Sequence, residues 1–141
     1  MPKVLIGKEG SGFVSIRVTG RTRDPDWITA EIEIRAGVWR GKYEGSLYHG
    51  ELSALADDLH QMYATLSGTA CLDCLDGFLS LTFMGDGKAH VSVEGKAQSQ
   101  TSVNNVLLLS IELDQTDLPG VIDGLRACES IFSSKIPSIP Q

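Results

Sequence analysis

Two long amphipathic segments, set among residues with the alternating pattern of β-strands, constrain the fold of this chain most strongly. The first runs from Glu51 to Leu66 and the second from about Leu118 to Phe132. In both, apolar residues recur at i, i+3, i+4 and i+7, so we expect two helices that are buried along one side. The expected buried residues are Leu52, Leu55, Ala56, Leu59, Met62, Tyr63 and Leu66 in the first helix, and Leu118, Val121, Ile122, Leu125, Cys128 and Phe132 in the second.

Period-two alternation bounded by turn residues predicts strands before the first helix and between the two helices. The order strands, helix, strands, helix favours an α+β fold with antiparallel β-sheets, about seven strands in a meander-like order, and two amphipathic α-helices. Residues 1–133 are predicted to form a single α+β domain, and residues 134–141, which contain two prolines, a flexible tail.

Two hairpin registers can be predicted from the apolar pattern. A two-residue loop at Ala36-Gly37 places Glu33 opposite Arg40 and Glu31 opposite Lys42 as exposed pairs. The same register puts Trp39 and Tyr43 on the apolar face, where we interpret them first as core residues. In the second hairpin, a loop at residues 85–87 aligns Leu81 with Val91, and Gly87 suits the left-handed backbone of such a loop.

The last strand and the second helix meet at residues 113–119. The strand is predicted from Val103 to Leu113, with Val106 and Leu108 on the face opposite the main apolar row, so part of it is expected to be covered on both sides. Thr116 or Asp117 is predicted to cap the helix. Pro119 fits its first turn, where the missing N–H costs nothing.

Bulk composition limits the partners of the chain. It has 141 residues, a formal net charge of −6 and a pI of about 4.9, which argues against direct nucleic-acid binding and suits a basic protein partner. No run approaches the roughly 18 apolar residues of a membrane span, and the first residues do not resemble a secretory signal. Three cysteines fit free thiols in a reducing compartment, so we expect a cytoplasmic protein without a membrane partner.

No motif predicts a catalytic residue, a cofactor or a metal site. Cys71 and Cys74 have C-x-x-C spacing, but a second ligand pair is missing and residues three apart in a strand point to opposite faces, so no metal is expected. His49, His60 and His90 lack ligand spacing. The glycines of residues 7–12 lack the lysine and hydroxyl residue of a phosphate loop.

Six stretches stand out in order along nearly the whole chain. They are Asp26-Trp27-Ile28, residues 37–43, Glu51-Leu52, residues 66–70, residues 85–91 and residues 113–119, of which the last stretch is the most specific. With these ordered motifs the chain resembles the WapI-like immunity protein family, whose members protect bacteria from contact-dependent polymorphic toxins. This resemblance implies an immunity protein and not an enzyme: a protein that binds and neutralises a cognate basic toxin domain, expected to be a nuclease, by occlusion.

Partner-binding residues can be predicted only from charge and pattern. Glu44, Asp57, Asp58 and Asp86 are expected to point away from the core, and we take them as the candidate contacts with a basic toxin. Two alternatives stay open: a small-ligand binder or an enzyme that uses a pocket between sheet and helices, and a structural or assembly module.

Overall fold

The computed structural model describes residues 1–99 and 105–133, which form two four-stranded antiparallel sheets and two helices. The α+β class and the two helices are confirmed, with eight strands in place of the expected seven or so. The elements are β1 (Lys3–Lys8), β2 (Gly12–Arg21), β3 (Trp27–Ala36), β4 (Trp39–Tyr48), α1 (Glu51–Thr65), β5 (Ser67–Asp73), β6 (Leu79–Asp86), β7 (His90–Ala97), β8 (Leu107–Asp114) and α2 (Leu118–Glu129), with short 3₁₀ helices at Gln115–Asp117 and Ser130–Phe132.

The chain repeats one structural unit, a four-stranded meander followed by a helix. The first sheet has the order β1-β2-β3-β4 and the second β5-β6-β7-β8, so every sheet neighbour is also a sequence neighbour. The two helices pack against each other, α1 also packs on β5, and α2 on β1. At Gly124 of α2 an added Cβ would lie 2.9 Å from Val4 Cβ, so a glycine allows this close approach.

The inner faces of both sheets and one side of each helix form a single apolar core. The predicted helix stripes are buried from Leu52 to Met62 and from Leu118 to Cys128. Tyr63 is an exception, since 42% of it is exposed. The stripe ends at Met62 because α1 ends three residues later, at Thr65, and Leu66 turns into the left-handed conformation with φ 58°.

The register predicted for the β3–β4 hairpin is wrong by two residues. The loop is Gly37-Val38, with Gly37 at φ 62°, so Arg40 lies opposite Arg35 and Lys42 opposite Glu33. The faces are as predicted, because an even shift keeps every side chain on its own side of the sheet. Of the two expected charge pairs, only Glu31–Lys42 occurs, as a diagonal contact of 3.9 Å beside a 3.0 Å pair between Glu31 and Arg17.

The second hairpin register is also wrong, by four residues. β6 continues to Asp86 and the chain reverses over residues 87–89, which places Leu81 opposite Gly95 and Gly85 opposite Val91. Gly87 has the predicted left-handed backbone, with φ 82°. Asp86 Oδ1 accepts hydrogen bonds from the backbone N–H groups of Lys88 at 2.7 Å and His90 at 3.3 Å. These bonds stabilise a reversal at residues 87–89, two residues later than the predicted loop at residues 85–87.

The N-cap residue of α2 is Asp117, one of the two predicted residues, but its side chain makes no capping hydrogen bond to α2. Its side chain belongs instead to the preceding 3₁₀ helix: Asp117 Oδ2 accepts from the Asp114 N–H at 2.9 Å, while Asp114, the N-cap of that 3₁₀ helix, accepts from the Gln115 N–H at 3.1 Å. Pro119 lies in the first turn of α2, as predicted. Leu108 of β8 and Val106, just before the strand, are both exposed, so the expected cover on this side of the strand is absent among the described residues. The predicted strand start at Val103 and the predicted tail 134–141 lie outside the described residues.

Candidate interaction surfaces

The four acidic residues predicted to contact a partner are all exposed, but they lie on three different elements. Glu44 is on the outer face of β4, opposite Glu31. Asp57 and Asp58 are on α1, where Asp57 lies 3.5 Å from Arg126 of α2. Asp86 is in the β6–β7 reversal, and its hydrogen bond from the Lys88 backbone holds the pKa of its carboxyl below the ordinary value. They do not form one site.

A larger acidic surface covers the outer face of the second sheet, which no helix of the described residues covers. Side chains at alternate positions of β5–β8 point outward, and most are serine, threonine or carboxylates. We call this surface the acidic face; its charged members are Asp73, Asp86, Glu94, Glu112 and Asp114, with Lys96 as the single basic residue. Small hydroxyl side chains make it flat, and its carboxylates give it a negative potential.

The outer face of the first sheet has the opposite charge balance. Its basic members are Lys3, Arg17, Arg35, Arg40 and Lys42, and its acidic members are Glu31, Glu33 and Glu44. Arg17 and Lys42 both lie beside Glu31, and the hydrogen bond from Arg17 holds the pKa of the Glu31 carboxyl below its usual range. The acidic character of the protein is therefore concentrated on the second sheet and on the helices.

Two glutamates, Glu51 and Glu129, accept hydrogen bonds from backbone N–H groups within the fold. Glu51 accepts hydrogen bonds from the N–H groups of Tyr48 at 2.6 Å and Leu75 at 2.7 Å, which ties the start of α1 to both sheets. Glu129 Oε1 accepts from the Gly50 N–H at 2.6 Å, across the two helices. Its Oε2 is buried without a hydrogen-bond partner in the described chain, and burial raises the pKa of this carboxyl. Neither residue is free to contact a ligand.

The cysteines and histidines are dispersed. Cys71 is exposed on the acidic face, whereas Cys74 is buried, and burial raises the pKa of the Cys74 thiol. Burial also raises the pKa of Cys128 to about 11. The His49 ring contacts the Phe132 ring at a tilt of 54°, with 5.1 Å between the ring centroids, and His90 is exposed beside Asp114. Within the described ranges, no three His, Cys, Asp or Glu side chains are grouped so as to hold a metal ion.

One cleft lies between the two sheets, at the β3–β4 hairpin, and not beneath the helices. Its volume is about 490 Å³ and its lining is mainly apolar. We call it the tryptophan cleft; it is lined by Ile34, Trp39, Arg40, Gly41, Tyr43, Ala97, Ser99, Asn105, Val106 and Leu107. This lining contains no carboxylate, histidine or cysteine, so the side chains used most often for acid–base or nucleophilic chemistry are missing from it. The prediction that Trp39 is a core residue is wrong: 66% of it is exposed.

Comparison with known proteins identifies the family. The sequence profile of the immunity protein WapI-like family matches residues 4–133, nearly the whole chain. The chain belongs to the WapI-like immunity protein family. No curated protein matches the sequence of this immunity protein. A crystal structure of MRP1/MRP2 from Trypanosoma bruciei is similar at a TM-score of 0.47 and 10% identity, over 95% of this chain and 88% of that chain; this likeness is too weak to transfer any property.

Sequence reasoning did not predict the acidic face or the tryptophan cleft. The acidic face has a signal in the sequence, since Glu112 alternates with the apolar residues of β8 and Glu94 follows Val91 and Val93 at alternate positions of β7. The tryptophan cleft has none, because it depends on where the start of β4 lies relative to the start of β8. Among the described residues, no helix has both the length and the apolar content to cross a bilayer.

Proposed function

We propose that this WapI-like immunity protein neutralises a toxin domain with a basic surface, expected to be a nuclease, by binding it and occluding its active site or an adjacent exosite. The family match over residues 4–133 is the observation that carries the immunity role. A protein that acts by binding needs a rigid scaffold and a complementary surface, and no catalytic centre. The single core and the two four-stranded antiparallel meanders provide that scaffold.

The basic character of the partner is supported by the distribution of charge. The acidic face presents five carboxylates and one lysine on a flat sheet surface. A toxin that cleaves nucleic acid needs positive charge near its phosphate-binding groups. An acidic partner would be steered toward that charge, which raises the association rate and discourages wrong partners. We therefore place the first contact with the toxin on the acidic face.

The competing proposal places the contact at the positions predicted from sequence. Glu44, Asp57 and Asp58 are exposed, yet they lie on β4 and α1, away from the acidic face, and only Asp86 belongs to it. The two proposals are separable because equal charge changes can be made on each surface.

Association kinetics with the purified cognate toxin domain tests both proposed contact surfaces. Glu94→Lys together with Glu112→Lys should lower the association rate by about tenfold at low salt. The matched control, Glu44→Lys with Asp58→Lys, makes the same change in net charge and should have a much smaller effect. For the wild type, the association rate should fall as ionic strength rises. Equal association rates for the wild type and the Glu94/Glu112 variant would remove the acidic face from the proposal, and a large effect of the control would favour the other positions.

A further inference from the structure

Three apolar side chains reach the surface where the end of β4 approaches the β5–β6 connection. Leu75, in that connection, is 69% exposed, and Tyr48, at the end of β4, is 37% exposed. Trp27, at the start of β3, is half-buried. We call this surface the apolar patch; its members are Trp27, Tyr48 and Leu75. Clustered apolar and aromatic side chains at a surface are typical of protein-binding sites.

Short contacts hold the three residues of the apolar patch together. Trp27 and Tyr48 are direct partners in the β3–β4 ladder, and their rings pack edge to face with 5.0 Å between the centroids. The Glu51 carboxylate joins Tyr48 to Leu75, since Oε1 accepts from the Tyr48 N–H at 2.6 Å and Oε2 from the Leu75 N–H at 2.7 Å. One side chain at the start of α1 therefore places Leu75 beside the aromatic pair.

The β2–β3 connection that leads into Trp27 is also held by hydrogen bonds. The Thr22 hydroxyl lies 2.7 Å from the Asp24 carbonyl oxygen and 2.9 Å from that of Trp27. Asp24 Oδ1 accepts from the Asp26 N–H at 3.0 Å. A surface that is ordered before a partner binds loses less conformational entropy on binding.

The two aromatic residues keep polar groups that the fold does not use. In the described ranges, neither the Tyr48 hydroxyl nor the Trp27 indole N–H has a hydrogen-bond partner within the chain. Tyr43 differs, because its hydroxyl donates to the Phe78 carbonyl at 2.8 Å. A tyrosine or tryptophan that offers both an apolar ring and an unused donor is a frequent anchor of protein interfaces.

The apolar patch borders the acidic face. Asp73 points outward at the end of β5, Cys74 is buried and Leu75 is exposed, so the alternation of β5 continues into the connection. Leu75 therefore lies at the end of the outward row that carries Asp73. Lys96, the basic member of the acidic face, is two strands away from Asp73. A partner bound to the acidic face can reach the apolar patch without crossing another element.

The charges around the apolar patch have the same sign balance as the acidic face. In the connections beside it and at the adjoining ends of helix and strands, the charged residues are Arg21, Arg23, Asp24, Asp26, Glu51, Asp73 and Asp76. These are five carboxylates and two arginines. Arg21 reaches away toward α2, where it donates to the Phe132 carbonyl at 3.4 Å. The potential around the patch is therefore negative, which fits a partner whose surface is basic.

We propose that the apolar patch packs against an apolar side chain of the toxin domain, next to the contact that the acidic face makes. This inference rests on the proposed function and extends its contact surface by a region with a different role. The acidic face acts mainly on association, because charge steers the encounter. The apolar patch buries exposed apolar surface on binding, so it acts mainly on dissociation.

Charge selects the toxin among the macromolecules that could cover the apolar patch. In a two-fold dimer of this chain the patch would meet itself, so the surrounding carboxylates would face one another and repel. Nucleic acid and anionic lipid surfaces would be repelled for the same reason. A basic protein gains from both the apolar contact and the surrounding carboxylates.

Dissociation of the full chain from the catalytically inactivated cognate toxin domain tests the inference. Tyr48→Ala and Leu75→Ala should each raise the dissociation rate at least about tenfold, with little change in the association rate because no charge is altered. Thermal unfolding of each variant shows whether it is folded. Leu75→Ala tests the patch even if Tyr48→Ala is unstable, because most of the Leu75 side chain is exposed.

Two exposed residues outside the apolar patch provide matched controls. Tyr63 is 42% exposed and lies on α1, about 18 Å along the helix from Glu51. Val38 is 90% exposed and lies at the opposite end of β4 from Tyr48. Tyr63→Ala and Val38→Ala should dissociate like the wild type. An equal increase for these controls would show that the patch has no special role, and the inference would be overturned.

Fluorescence gives a readout that does not depend on loss of binding. The chain has two tryptophans, so in a Trp39→Phe background Trp27 is the only one. Addition of the toxin domain should shift its emission to shorter wavelength and protect it from acrylamide quenching, because the half-buried ring becomes covered.

The outcomes distinguish this inference from the proposed function. If the wild type forms no complex with the toxin domain, the proposed function fails. If a complex forms but Tyr48→Ala and Leu75→Ala dissociate like the wild type, and Trp27 emission is unchanged, the inference is wrong while the proposed function stands. If the protein alone self-associates in sedimentation experiments and Leu75→Ala abolishes this, the patch binds a second copy and the inference is overturned.

Discussion

At the scale of single residues, burial and close approach set the properties of a few side chains. Glu129 reaches from the end of α2 to the start of α1 and accepts a hydrogen bond from the Gly50 N–H at 2.6 Å. The Ser53 hydroxyl, at 3.4 Å, is its second partner. Burial is the larger effect and raises the pKa of the carboxyl, so the protonated form is favoured in the folded state relative to the unfolded chain.

Replacement of Glu129 by glutamine should therefore have a pH-dependent effect on stability. A carboxyl whose folded pKa is raised contributes stability that is fully present below its unfolded pKa, near 4.5, and is lost as pH rises through the folded pKa. Glu129→Gln stays neutral, so the melting temperature of the variant minus that of the wild type should increase as pH rises from 4.5 toward neutrality. Thermal unfolding over this range measures the difference, with the exposed Glu94→Gln as control. A melting-temperature difference that decreases as pH rises would contradict the raised pKa assigned to Glu129.

Gly41 and Gly45 provide a matched pair on the same face of β4. Gly45→Ala would place a Cβ 2.6 Å from the buried Phe78 ring, and overpacking of this kind costs about 1–3 kcal/mol of unfolding free energy. Gly41→Ala meets nothing within 4 Å and should change stability by less than about 0.5 kcal/mol. Urea denaturation of both variants measures the two values. Equal losses would show that the cleft at Gly41 is not open.

At the scale of secondary-structure elements, the sequence predicts which face of a strand is buried but not its register. Ile32 and Tyr43 lie on the inner face, as the alternation predicts. The register of their hairpin nevertheless differs from the predicted one by two residues, and the register at Leu81 differs by four. Alternation has a period of two, so any even shift fits the pattern equally well. Gly37 in the first hairpin and the Asp86 side chain in the second select one register among these, through contacts that depend on local geometry. For the same reason the open cleft at Gly41 could not be predicted.

The β8–α2 corner gives an element-scale prediction about stability. Asp114 and Asp117 form a reciprocal capping box, while Thr116 has no capping hydrogen bond in the structure. Asp114→Ala should lower the unfolding free energy by about 0.5–2 kcal/mol, because N–H groups in the first turn of the 3₁₀ helix Gln115–Asp117 lose their acceptor. Thr116→Ala should have a smaller effect. Thermal or chemical denaturation checks this order, and a larger loss for Thr116→Ala would show that the cap was assigned to the wrong residue.

At the scale of the whole molecule, the net charge of −6 is distributed unevenly between two similar sheets. The outer face of the first sheet carries five basic and three acidic side chains, and the acidic face carries one basic and five acidic ones. Composition alone predicts an acidic protein with a basic partner. The four candidate contact residues predicted from charge and pattern, however, lie on three different elements. The sheet pairing was needed to bring Glu94, Glu112 and Asp73 onto one surface. Two sheets with the same meander topology therefore carry outer faces of opposite net charge.

Co-expression with the toxin domain encoded by the adjacent gene tests the central claim most directly. Bacteria that produce the active toxin domain should die, and bacteria that also produce this protein should survive, with a toxin–immunity complex recovered from their lysate. Survival should decrease when Glu94→Lys and Glu112→Lys are combined, because the contact of the acidic face with the toxin is then weakened. Equal death with and without the protein, together with no complex at micromolar concentration, would contradict the account.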